Sequence, residues 1–144
     1  MKYHILLFVF VTQSLFSQTI LTLRDRASLI NEIQKDRIES LLPKLMEEQN
    51  LDLWVLITRE YNEDPVVKTL LPPTWLNARR RTIIVFSKSK KEVDAVAITR
   101  YNFGNNIRSI WDKEKQPDQW EALSDYIISK NPKRIGINTS EAYG

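Results

Sequence analysis

The feature that most constrains the fold is the apolar segment at residues 51–57, Leu-Asp-Leu-Trp-Val-Leu-Ile. Its length, near-continuous hydrophobicity and content of β-forming residues predict a strand that is buried on both faces of a sheet. A polar segment, 58–64, follows directly and is closed by Pro65. In open α/β sheets, ligands usually bind at the carboxyl ends of strands. We therefore look for function first at the end of this strand.

The remaining segments predict the other elements of an α/β domain. Apolar residues spaced three and four apart predict a helix from Leu23 to about Gln49. Pro43 predicts a kink or break in it, because proline lacks an N–H and crowds the preceding turn. We expect the apolar stripe of this helix to pack in the core rather than to form a groove for a partner.

The second half of the chain predicts a hairpin, an edge strand, a helix and a last strand. In chain order they are the strands 81–87 and 93–99, the edge strand 107–111, a helix from Pro117 to Asn131, and the strand 134–138. The apolar face of the helix is predicted to comprise Trp120, Leu123, Ile127 and Ile128. The strand–helix–strand order implies a right-handed crossover and at least one parallel pair. The predicted fold class is α/β, a mixed sheet flanked by helices.

Residues 1–17 are predicted to form a secretory signal peptide. A weakly basic start precedes an unbroken apolar run, and the small residue Ser17 suits a cleavage site. The run is shorter than the ~20 residues of a membrane span. A buried N-terminal strand is the alternative. The signal peptide predicts export to the periplasm or the medium, with no membrane attachment after cleavage.

The content of histidine and cysteine limits the chemistry. The chain has one histidine, His4, and no cysteine. Because His4 lies in the predicted signal peptide, the mature chain would contain neither residue. This excludes Cys–His and Ser–His–Asp nucleophilic sites, the usual zinc sites and disulfides. A site built from carboxylates for Mg²⁺, Mn²⁺ or Ca²⁺ stays open, although no loop has a recognised ligand spacing.

The charge of the chain is mildly positive. Its formal net charge is +3, and cleavage would remove Lys2. Such a balance does not predict a nucleic-acid partner. Two basic runs, 79–81 and 88–91, are interpreted as a solvated strand entrance and a hairpin tip, with a phosphate-binding patch as the alternative.

The sequence Glu63-Asp64-Pro65 has two interpretations of equal weight. Carboxylates just before a proline favour the start of a helix, so the plain interpretation is a capping sequence for a short helix through residues 66–71. The other interpretation is a ligand-binding role at the carboxyl end of the central strand.

Several segments together resemble a known family. They are the helix end 41–46, the strand 51–57, the later hairpin, the segment 135–140 and, most specifically, Arg59-Glu60-Tyr61-Asn62-Glu63-Asp64-Pro65. These segments resemble the N-terminal domain of the creatinase/prolidase/aminopeptidase P metallopeptidases, and more narrowly a secreted bacterial Xaa-Pro aminopeptidase-like branch. The resemblance covers about residues 24–144.

The resemblance implies that residues 18–144 form a ribonuclease H-like α/β domain without catalytic residues or metal ligands. In that family two Asp, one His and two Glu of a following pita-bread domain hold two divalent metals, Mn, Zn or Co, which activate a water for amide hydrolysis. That domain is absent from this chain. The implied partners are the C-terminal catalytic domain of the same polypeptide, a second copy in a homodimer and a peptide substrate, but no nucleic acid.

In such enzymes the N-terminal domain helps to shape the substrate pocket and the subunit contact. Our candidates for that role, chosen by their position near the carboxyl end of the central strand, are Arg59, Tyr61, Asn62, Asp64 and Trp75. In the alternative interpretation the charged residues only order the loop, and Trp75 only covers the edge of the core.

The leading hypothesis is therefore the non-catalytic N-terminal domain of an exported dinuclear-metal peptidase. A free-standing secreted α/β module that binds a small ligand or a peptide is the alternative. A ribonuclease H-like nuclease is disfavoured, because it needs several converging carboxylates and the predicted strands supply only Asp52 and Asp94.

Overall fold

The computed structural model describes residues 20–90 and 92–142. The predicted signal peptide, residues 1–17, lies outside the described residues. In the part that is described, no helix is both long enough and apolar enough to cross a membrane.

One long helical segment precedes the sheet. Helix α1 spans Leu23–Asp36, a π-helical turn spans Arg37–Leu41 and helix α2 spans Leu42–Glu48. The N–H of Leu42 bonds to the carbonyl of Arg37, five residues earlier, which widens the helix just before Pro43. The predicted irregularity near Pro43 is thus confirmed, as a wide turn that accommodates the missing N–H.

The sheet has five strands in the order β4-β3-β2-β1-β5. Their bounds are Leu53–Arg59 for β1, Arg81–Ser89 for β2, Glu92–Ala97 for β3, Arg108–Ser109 for β4 and Ile135–Ile137 for β5. Strands β2 and β3 form the predicted antiparallel hairpin, and β1 also pairs antiparallel with β2. Strands β1 and β5, like β3 and β4, pair in parallel. The predicted α/β fold with a mixed sheet is confirmed.

Side chains of the central strands alternate between two cores, one on each face of the sheet. Leu56 of β1 lies in the core that includes Ile38 of the π-helical turn and Met46 of α2, whereas its neighbour Val55 lies in the core that includes Leu123. Both are at most 3% exposed. This period-two alternation confirms the prediction that β1 is buried on both faces.

Two further helices complete the layers. Helix α3 spans Pro65–Leu70 and lies on the same face as α1 and α2, where Val67 and Leu70 are buried. Helix α4 spans Gln119–Lys130 and covers the opposite face. The sheet therefore lies between helices on both sides.

The two helical stripes are only partly buried. The buried row of the first helical segment runs at intervals of four residues through Gln34, Ile38, Leu42 and Met46. Leu29, Ile30, Ile33 and Leu41 remain 38–46% exposed. On α4, Leu123 is buried but Trp120 and Ile128 are 46% and 70% exposed. The expected core packing of the first helical segment thus holds for its inner row, whereas the outer positions stay exposed, because residues four apart form one narrow row and only that row reaches the sheet.

Candidate ligand-binding site

The polar segment after β1 is a tight turn held by its own side chains. The hydroxyl of Thr58 accepts a hydrogen bond from the N–H of Asp64 at 3.0 Å and donates to the carbonyl of Asn62 at 3.3 Å. Tyr61 has a φ of 66°, in the left-handed region. For a non-glycine residue this conformation costs about 1–2 kcal/mol, so the surrounding contacts must stabilise it.

Two carboxylates hold the inside of this turn. Glu63 is 8% exposed, and its Oε1 accepts from the N–H groups of Tyr61 and Ala78, each at 3.0 Å. Asp64 is 1% exposed, and its Oδ1 accepts from the N–H of Val66 at 2.7 Å and caps α3. The prediction of a capping sequence is confirmed.

The second oxygen of Asp64 reaches the far end of the chain. Asp64 Oδ2 accepts a hydrogen bond from the amide Nδ2 of Asn138 at 2.8 Å, and Asn138 Oδ1 accepts from the indole N–H of Trp54 at 2.9 Å. Both oxygens of Asp64 are therefore occupied by protein donors.

The other predicted pocket residues lie apart from Asp64. Arg59, Tyr61 and Asn62 are exposed on the outside of the turn, with Tyr61 82% exposed. Trp75 lies elsewhere, half-buried against the core. Its ring packs on Phe103 and Tyr101 with centroid separations of 5.1 and 6.0 Å. The five candidates therefore do not converge on one cavity.

A cavity of about 750 Å³ lies at the same edge of the sheet, and sequence reasoning did not predict it. Five cationic side chains line it, namely Arg79, Arg80, Arg81, Arg100 and Lys113. Its aromatic lining comes from Tyr101, Trp111 and Trp120. Arg59, Tyr61 and Asn62 do not line this basic cavity.

Two of the guanidinium groups in the basic cavity are held by aromatic rings. The guanidinium carbon of Arg81 lies 4.8 Å from the ring centre of Trp120. That of Arg79 lies 4.5 Å from the ring centre of Trp75 and 5.3 Å from that of Tyr101. Stacking of this kind fixes the plane of a guanidinium while leaving its N–H groups at the edge available for acceptors.

The topology explains why these residues meet. Strand β2 runs opposite to β1 and β3, so its first residue, Arg81, pairs with Arg59 at the end of β1, and β3 ends near the same edge, where Ala97 pairs with Ile84. Helix α4 begins at this edge, where the side-chain amide of Gln119 donates to the carbonyls of Arg81 and Ile98. Asp118 caps the helix by accepting from the N–H of Trp120 at 2.7 Å.

The positive charge in the basic cavity is only partly compensated. In residues 20–90 and 92–142, no ion pair joins any of its five cationic side chains to a carboxylate. Asp118 is the acidic residue of the lining, and one of its oxygens is used by the helix cap. The carboxylate of Glu60 also lies close by, with its Oε2 accepting from the backbone N–H of Arg80 at 3.1 Å, so positive charge exceeds negative charge around the cavity.

Sequence reasoning had one usable signal for the basic cavity, the arginine triplet 79–81. The sequence favours a solvated strand entrance there, with a phosphate-binding patch as the alternative, because nothing local indicates that Arg100 and Lys113 lie beside it. Trp120 is predicted to lie on the apolar face of its helix, and the structure places its ring against Arg81 at the edge of the sheet.

The carboxylates of the strands are engaged elsewhere. Asp94 bonds to the side chains of Arg108 and Lys130 at 3.2 and 3.4 Å. Burial alone would lower the pKa of Lys130, but Tyr126 and Asp94 raise it above its usual value. Asp52 accepts from the backbone N–H groups of Arg134 and Lys133, which lower its pKa. Within the described ranges, no group of three or more His, Cys, Asp or Glu side chains is placed to hold a metal ion.

Lys115 lies in the loop beyond the basic cavity and pairs with Asp112. Its ammonium group lies 3.0 Å from Asp112 Oδ2. This hydrogen bond, with one from the N–H of Glu114, holds the pKa of Asp112 below its usual value. The charge of Lys115 is thus paired with a carboxylate, whereas Lys113 of the cavity has no such ion pair among the described residues.

Comparison with known proteins adds no relative. No family model matches the chain, and neither does any curated protein or solved structure.

Proposed function

We propose that this chain is the non-catalytic N-terminal domain of an exported Xaa-Pro aminopeptidase- or prolidase-like peptidase, of ribonuclease H-like fold. Its catalytic machinery, with two divalent metals, would belong to a following domain, and none of the residues described in this chain is assigned as a metal ligand. The role of this domain would be to shape the substrate pocket and the subunit contact.

The observation that carries the proposal is the construction of the turn after β1. Glu63 and Asp64 hold its inner side through buried hydrogen bonds, while Arg59 and Tyr61 project from its outer side. The left-handed backbone conformation of Tyr61 costs free energy. Its aromatic side chain is 82% exposed and so contributes little packing within this domain. A rigid turn that presents such a side chain suits a wall offered to another domain or subunit.

A free-standing binding module is the second candidate, and the basic cavity favours it. Five cationic side chains of this chain line a concave site of about 750 Å³, which suits a small charged ligand.

The mass of the native product separates the two candidates. An antibody to this domain would detect it in the source organism, followed by measurement of the intact mass. A species several-fold larger than the 17.0 kDa of the chain is expected from the peptidase proposal. A species near or slightly below 17.0 kDa would overturn that proposal in favour of the binding module.

An activity test addresses the role of the domain. The purified chain is expected not to hydrolyse Xaa-Pro peptides with added Mn²⁺, Co²⁺ or Zn²⁺, and metal-dependent turnover would contradict a non-catalytic role. In a longer native enzyme, Tyr61→Ala is expected to change KM for the peptide. Ile128→Ala, at a position 70% exposed on α4, is the control and is expected to leave KM unchanged.

A further inference from the structure

We propose that the basic cavity binds a small, multiply charged oxyanion of the phosphate-ester class. This inference does not depend on the peptidase proposal, because no residue that lines the cavity is a candidate pocket residue of that proposal.

The basic cavity carries an excess of positive charge. Arg79, Arg80, Arg81, Arg100 and Lys113 line one cavity, and no ion pair with a described carboxylate neutralises any of them. Clustered like charges repel one another and oppose folding. A bound anion would remove that repulsion, and it would find a positive potential focused within a concave surface.

Two guanidinium groups of the basic cavity are preorganised by aromatic rings. Arg81 is stacked on Trp120, and Arg79 is stacked on Trp75 and Tyr101, so both guanidinium planes are held before any ligand arrives. Guanidinium groups bind phosphate oxygens through two parallel hydrogen bonds, and holding them in place reduces the entropy lost on binding.

The number of cations in the basic cavity favours a ligand with more than one negative charge. A carboxylate brings one negative charge and two oxygens, which would leave most of the five cations unsatisfied. A phosphate monoester brings a charge of about −1.5 to −2 at neutral pH and three acceptor oxygens. A phosphate or diphosphate group therefore matches the charge of the basic cavity better.

The volume and concave shape of the basic cavity suit a small ligand. The volume of about 750 Å³ is that of a pocket for a small organic molecule, for which ~300–1,000 Å³ is usual. An extended nucleic acid would need a groove or a basic stripe that runs across the surface. The concave site thus favours a small phosphate compound over a polymer.

Isothermal titration of the purified chain with inorganic pyrophosphate at low ionic strength tests the proposal. We expect a Kd below about 1 mM that weakens as salt is added, because salt screens the charges. The double variant Arg100→Gln/Lys113→Gln should raise Kd about tenfold or more, since it removes two charge-assisted contacts.

A matched control removes two charges elsewhere. Arg24→Gln/Lys44→Gln changes two exposed cations on the helical segment before the sheet and alters the net charge equally. The two double variants are compared at about 0.1 M salt, where the Debye length is ~10 Å and exposed charges outside the cavity are largely screened. The Kd of this control for pyrophosphate should then differ from that of the unmodified chain by less than about twofold. An equal loss of affinity in the two double variants would show that only the net charge of the chain matters, and it would overturn the proposal.

Three further outcomes would also overturn it. These are no detectable binding of pyrophosphate, equal binding of succinate at the same site, and tighter binding of a short oligonucleotide than of pyrophosphate.

Arg100 is exposed, so the double variant should fold with an unchanged or higher midpoint of unfolding. If it does not fold, Arg80→Gln alone provides the test and should raise Kd severalfold.

Discussion

Asn138 and Asp64, 74 residues apart in the sequence, are joined by a hydrogen bond of 2.8 Å from Nδ2 to Oδ2. The same Asn138 side chain accepts from the indole N–H of Trp54. One amide thus links the helix cap after β1, a side chain within β1 and the end of the parallel strand β5. This link orders the turn that we propose as a contact surface.

The Asn138 bridge makes a prediction about stability. Asn138→Ala leaves the indole N–H of half-buried Trp54 and one oxygen of buried Asp64 without this partner, and a group that loses its partner in this way costs about 1–3 kcal/mol. We expect the free energy of unfolding, measured by urea titration, to fall by about 2 kcal/mol. Thr139→Ala, at the exposed neighbouring position, should change it by less than ~0.5 kcal/mol. Equal effects of the two variants would contradict the bridging role.

Glu63 is predicted to act as a hydrogen-bond acceptor rather than as a charge. Glu63→Gln keeps an oxygen for the N–H groups of Tyr61 and Ala78, so it should cost less than about 1 kcal/mol. Glu63→Ala leaves both donors without it and should cost about 2–4 kcal/mol. Urea unfolding of the pair checks this, and a loss in Glu63→Gln as large as in Glu63→Ala would show that charge is what matters.

Gln34 joins the first helix to two distant segments. It is 2% exposed, donates to the carbonyl of Leu70 and accepts from the amide of Asn106 at 2.8 Å. Gln34→Ala should lower the free energy of unfolding by about 2–3 kcal/mol, because the carbonyl of Leu70 and the side-chain amide of Asn106 both lose this partner. Glu32→Ala, an exposed position on the same helix, is the control and should stay within ~0.5 kcal/mol of the unmodified chain.

Asp52 should make stability depend on pH in the acid range. Hydrogen bonds from the backbone N–H groups of Arg134 and Lys133 lower its pKa below the ordinary value of 3.8. A carboxyl group whose pKa is lowered by folding stabilises the fold above its unfolded pKa, and this contribution is lost as pH falls through the folded value. Asp52→Asn keeps an acceptor oxygen but does not titrate. The fall in unfolding free energy below pH 3.8 should therefore be shallower in Asp52→Asn, and identical slopes in urea titrations across this range would contradict the assignment.

Local patterns predicted much of the fold. The apolar run of β1, the hairpin of β2 and β3, the irregularity at Pro43 and the cap at Asp64 all depend on residues within a few positions of one another. Propensity, side-chain period and proline chemistry act at that range, so a single sequence carries these signals.

The tertiary structure decided which of these local features meet. Nothing near Asp64 in the sequence indicates Asn138, and nothing near Arg79 indicates Arg100 or Trp120. Likewise, both outer and inner rows of the first helix are apolar, and contact with the sheet alone determines that Ile38 is buried while Ile33 is exposed. The turn, the helix cap and the strand pattern follow from neighbouring residues. The basic cavity and the Asn138 bridge exist only because the strand order brings distant segments to one edge of the sheet.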